Sequence, residues 1–159
     1  MPHEQAFLLQ RVQPAMVGLI DGSLATLAPI FAVALATHKP HYAFIAGLAS
    51  AIAAGVSMAY SEGLSDTGEL TGRGHPAMRG AITGVGTFLG GILHTLPFLI
   101  PHYHAALVAA VIVVAFEMIG LAWIRSRFFG ADFAKSLAWI LLAAALIVVV
   151  SGALGRAAG

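Results

Sequence analysis

Two carboxylates interrupt apolar runs that are each long enough to cross a bilayer, and this feature most restricts what the chain can become. Asp21 stands in V-G-L-I-D-G-S-L-A-T, and Glu62 follows Met58 in G-V-S-M-A-Y-S-E-G-L-S-D. An acid deep in a spanning helix costs about 2.5 to 3.5 kcal/mol on insertion scales. Water, a proton, a bound cation or a polar neighbour has to offset that cost.

Five apolar runs, at residues 15–37, 42–65, 77–100, 103–124 and 133–154, each have the length of a transmembrane helix. None alternates in the manner of a barrel strand. Only 9% of the 159 residues are charged, against about a quarter in a soluble domain. The expectation is an all-α membrane protein, one transmembrane domain of five spans. The chain contains no cysteine, which excludes disulfides, zinc-thiolate sites, iron-sulfur clusters and a cysteine nucleophile. The N-terminal stretch is too polar for a cleaved signal peptide and reads as a short cytoplasmic lead-in that breaks at Pro14.

Loop charge sets the expected orientation. Arg11, Arg73, Arg79, Arg125, Arg127 and Lys135 collect on one side, and Lys39 and Arg156 on the other. The richer side is cytoplasmic by the positive-inside rule, which places the N-terminus in the cytoplasm and the C-terminus outside. Gly47, Ala51 and Gly55 recur every four residues and form a packing stripe rather than a site. Gly80 with Gly84 and Gly86 with Gly90 repeat that spacing in the third run, while Pro29 is expected to kink the first.

At 1.5 Å per helical residue, Asp21 lies roughly 9 Å from the cytoplasmic edge, Met58 and Glu117 roughly 10 Å, and Glu62 roughly 5 Å. Equal depth puts Asp21, Met58 and Glu117 in one layer, and Glu62, four residues from Met58 on the same helix face, stands at its mouth; these four are the candidate metal ligands, with the loop acids Asp66 and Glu69 at the entrance. Carboxylates with a thioether favour borderline divalent ions such as Fe²⁺, Mn²⁺, Co²⁺ or Zn²⁺. Such ions must displace protons from carboxyls in a low-dielectric site, so metal-for-proton exchange follows. His38, His41, His94, His102 and His104 fall at or near the outer face, where ordinary interfacial placement is the expected role.

The stretches G-L-I-D-G-S-L-A-T-L, A-G-L-A-S-A-I-A-A-G-V-S-M-A-Y-S-E and R-G-A-I-T-G-V-G-T-F-L-G-G resemble the vacuolar iron transporter family. L-A-P-I-F-A-V-A-L-A-T, L-T-G-R-G-H-P, L-H-T-L-P-F-L-I and I-R-S-R-F are similar to the membrane domain of bacterial membrane-bound ferritins, which export iron. The resemblance implies a dimer of five-helix subunits exchanging Fe²⁺ or Mn²⁺ for protons. It carries the family's intramembrane aspartate onto Asp21, its second-span methionine onto Met58 and the acid of S-M-A-x-x-E onto Glu62, and assigns nothing to Glu117.

Two departures concern metal supply. The loop after the second run is short where plant and fungal members carry a glutamate-rich domain, and only a short lead-in precedes the first run where the membrane-bound ferritins carry a ferritin-like domain. The expected function is export of Fe²⁺ or Mn²⁺ from the cytoplasm across a bacterial inner membrane by a homodimer. No permanently bound cofactor, no enzymatic activity and no nucleic-acid partner are expected. The alternative is a non-transporting membrane anchor for a ferritin-like or other metal-handling partner, its acids serving helix packing. An intramembrane hydrolase is disfavoured, because no nucleophile and base stand at suitable spacing beside Asp21.

Overall fold

The computed structural model describes residues 3–69 and 71–158, and every regular element among them is a helix. Leu70, the first residue of L-T-G-R-G-H-P, lies outside them. In chain order they are α1 (His3–Phe7), a π-helical turn (Leu8–Val12), α2 (Gln13–Ala25), α3 (Leu27–Thr37), α4 (Pro40–Ser65), α5 (Pro76–Leu93), a 3₁₀ turn (Leu96–Leu99), α6 (Tyr103–Phe129) and α7 (Phe133–Ala158).

Four stretches are long and apolar enough to cross a membrane: His3–Thr37, Pro40–Ser65, Tyr103–Phe129 and Phe133–Ala157. α5 is the fifth long helix and differs from them. Its 18 residues include Arg79, Thr83, Thr87 and five glycines, and it is sandwiched between α2 and α4. Large apolar side chains such as Phe116, Trp139, Val149 and Leu154 stand outward on the other helices. An apolar exterior of this extent suits a lipid environment.

The chain's own punctuation accounts for most of the boundaries. Pro40 and Pro76 open α4 and α5, where a missing backbone N–H costs nothing. Gly130, in the left-handed region at φ 64°, closes α6. Asp132 accepts a hydrogen bond from the Lys135 N–H (2.7 Å) and starts α7.

Three boundaries differ from the sequence expectations. The helix does not break at Pro14; the wide π turn precedes it and the helix continues into α2. The break in the first run falls at Thr26 rather than at Pro29. Proline cannot donate to the Ala25 carbonyl, so the interruption appears in the turn before it. The third run does not stay helical to residue 100. Pro97 and Pro101 end regular α-helix, and residues after Leu93 turn through the 3₁₀ segment.

α2 runs parallel to α5 and α4 antiparallel to it. Gly18, Gly22 and Thr26 meet Thr83, Thr87 and Gly91 in turn, whereas Gly47, Gly55 and Gly63 meet Thr95, Gly84 and Pro76. The two glycine pairs of α5 serve different neighbours: Gly80 and Gly84 admit α4, and Gly86 and Gly90 admit α2. A Cβ on Gly22 would collide with the Thr87 carbonyl, so this close approach requires glycine. α6 and α7 pack outside, with Met118, Leu121, Ile140 and Ala144 against Met16, Leu27 and Phe31.

Candidate functional site

The glycine stripes decide where the polar side chains look. Gly18 and Gly22 face α5, so at about 100° per residue Ala15 and Leu19 fall on one flank of the stripe and Val17, Asp21 and Ala25 on the other. Ala15 and Leu19 border a groove shared with Ala81 and Val85. On α4, Ile52 and Val56 border a second groove with the same Ala81 and Val85, which leaves Ala54 and Met58 on the opposite flank. Asp21 and Met58 therefore lie on one side of the α2–α5–α4 layer, with Thr83 and Thr87 between them. Both are only partly buried. The Thr83 hydroxyl is buried and has no hydrogen-bond partner among the described residues.

Glu62 shares the Met58 side of α4 but is bonded to two arginines. Its Oε1 accepts from Arg73 (2.6 Å) and from Arg79 Nε (2.8 Å). Asp66, one turn further, accepts from Arg73 (3.2 Å) and Arg79 (3.3 Å). The Arg79 side chain is 1% exposed and also donates to the carbonyls of Gly74, Glu62 and Asp66. Partial desolvation opposes ionisation of Asp66. The Thr71 hydroxyl, the Gly68 N–H and the two guanidiniums outweigh it and hold the carboxyl below the usual range. Glu69, expected beside Asp66 at the entrance, is exposed.

Glu117 lies elsewhere again. Its Oε2 is 2.8 Å from His94 Nδ1, and His94 Nε2 is 2.8 Å from the hydroxyl of Thr26. That hydroxyl donates to the Gly22 carbonyl (2.9 Å). The chain of bonds ties α6, the end of α5 and the break between α2 and α3. His94 and Glu117 are 1% and 8% exposed, and Glu117 Oε1 has no hydrogen-bond partner among the described residues.

Asp21, Met58 and Glu117 thus do not form one layer with Glu62 at its mouth. Helix register makes a staircase instead, with Glu62 beside Arg79, Met58 near Gly84, Asp21 near Thr87 and Glu117 beside His94. No group of three or more His, Asp or Glu among the described residues converges to hold a metal ion. Sequence reasoning missed Arg79, counted as a loop cation, and Thr26. It placed His94 near the outer face; of those five histidines His94 stood deepest inside an expected span, with His104 at the second residue of the fourth, and that depth was the available signal. The other four lie at the far end, where His38 and His104 pack on Tyr103 and His41 on Tyr42.

Fold and polar side chains together define an all-helical chain compatible with a bilayer, carrying ionisable groups at several depths. Among known proteins, no family profile, no curated sequence and no solved structure matches it.

Proposed function

We propose that the chain is a transporter that moves a divalent transition metal, Fe²⁺ or Mn²⁺, out of the cytoplasm in exchange for protons, as a homodimer in a bacterial inner membrane. The observation that carries this reading is the shared face of Asp21 and Met58, with the unpartnered Thr83 hydroxyl between them. A carboxylate and a thioether suit a borderline divalent ion, and a free hydroxyl can hydrogen-bond its remaining water. Two ligands are too few for a first-row ion. A second copy related by a two-fold axis would bring two more to the same place, which is why the homodimer belongs to the proposal. The N-terminal side is taken as cytoplasmic, because six of the eight Lys and Arg lie there. The resemblance to vacuolar iron transporters and membrane-bound ferritins supports the choice of metal and the direction.

Glu62 and Glu117 are left out of the ligand set, since each is bonded within the chain. The same bonds favour the second reading, a membrane anchor for a metal-handling partner, in which buried acids serve packing alone.

Proteoliposomes separate the two. With Fe²⁺ or Mn²⁺ against an imposed pH gradient, the native chain is expected to couple metal and proton flux. Asp21→Asn should abolish it, and Met58→Ala should reduce it, while both variants stay folded. A well-folded native protein that moves neither ion would leave the anchor reading.

A further inference from the structure

The geometry points to a second ionic site, for a proton rather than a metal, held between His94 and Glu117 and wired through Thr26 to the break in the first spanning helix.

The Thr26 N–H turns back to the Leu24 carbonyl, so the Gly22 carbonyl takes the Thr26 hydroxyl proton instead. Having donated there, the hydroxyl can only accept from His94. Nε2 must therefore carry hydrogen. The opposite ring nitrogen, Nδ1, faces Glu117 Oε2 at 2.8 Å, a distance that needs one more proton between them. Whether it rests on the imidazole or on the carboxyl, the pair is neutral overall. Without it, two lone pairs oppose each other and a bare carboxylate, with Oε1 unpartnered, is left inside the apolar region.

Little else is present to compensate. α4 brings Gly47 and Ala51 to this region and α3 brings Ile30. On α2 the ionisable residue is Asp21, five residues before Thr26 and about 7.5 Å nearer the loop end. Lys135 and Arg156 of α7 sit near its two ends, and no salt bridge or hydrogen bond joins any of these groups to the pair.

Proton occupancy is thereby tied to structure. The bound proton links α6 to the end of α5 and, through His94, to the helix break; its loss cuts the α6 link. The site lies beyond Asp21 on the side away from the charged loop, where a counter-ion entering from the opposite face would arrive first. This transport role rests on the exchange reading, whereas the proton site does not.

The test uses the full chain in lipid nanodiscs with ¹⁵N-labelled histidine, His94 being assigned by its absence in His94→Gln. The expected native signal near neutral pH is Nε2–H, either with Nδ1 also protonated or with Nδ1 accepting from the carboxylic acid. A neutral Nδ1–H tautomer with bare Nε2 overturns the proposal. Thermal unfolding against pH gives the second readout. Native Tm should fall as pH rises, because the bond between α6 and the end of α5 exists only while the proton is bound. In Glu117→Gln the amide donates permanently to Nδ1, so that dependence should vanish. Identical pH profiles for the two proteins also overturn it. In proteoliposomes, Glu117→Gln should still release metal down its gradient yet no longer respond to an imposed pH gradient. Neither the NMR nor the unfolding result depends on whether the chain moves metal.

Discussion

The loop end and the far half of this molecule solve the same problem in opposite ways. Around Arg79, two acids and two arginines balance one another in charge, with three backbone carbonyls taking further donors and Arg73 Nε buried without a partner among the described residues. Around His94 there are two titratable groups and one hydroxyl, and the bonding closes only when an extra proton is present. A cluster with balanced charge acts as a staple, whereas one that lacks a proton by itself can respond to its surroundings. The difference lies in the partner: a guanidinium keeps its charge at any ordinary pH, while an imidazole does not.

The largest expected effect breaks the staple. Arg79→Met leaves Glu62 and Asp66 facing each other with only Arg73 to answer them. Removing one partner of a buried ion pair costs about 3 to 5 kcal/mol, measurable by unfolding in detergent. A loss below 1 kcal/mol would mean that the loop, rather than Arg79, organises this end. A smaller effect should follow His94→Ala. It strands Glu117 and frees the Thr26 hydroxyl, and an unsatisfied buried group costs about 1 to 3 kcal/mol. If this variant proves as damaging as Arg79→Met, the far cluster is a staple too and the contrast collapses.

The smallest effect concerns pH and has a definite sign. Asp66 has a folded-state pKa below its ordinary value, so its stabilisation is present above the unfolded value of about 3.9 and is lost as pH falls through the folded one. Native protein should therefore lose stability in strong acid, and Asp66→Asn should lose less over that window. The inner pair is expected to weaken in the other direction, toward alkali. Opposite slopes from the two variants would sharpen the distinction between the clusters, and equal slopes would remove it.

Much of the architecture was legible from residue order alone. Runs of apolar residues marked the helices, because hydrophobic length acts locally. The Gly47, Ala51 and Gly55 stripe read correctly as packing. Breaks were less accessible. Pro14 is absorbed by a π turn, and Pro29 exerts its effect at Thr26, both adjustments that neighbouring helices allow.

Asp21 and Met58 were identifiable as polar or soft groups in apolar surroundings, and the packed helices set them on one face. Glu62 and Glu117 were equally visible, yet their partners were not. Depth along a helix follows from counting residues, and it suggested a common layer. Arg79 stands 17 positions from Glu62, and His94 stands 23 from Glu117 and 68 from Thr26. Residue order by itself determined which segments are helical and that acids lie within them. Only the tertiary structure decided which acid meets a permanent cation and which meets an imidazole, because rotation and register between helices are set by side-chain packing across their whole length.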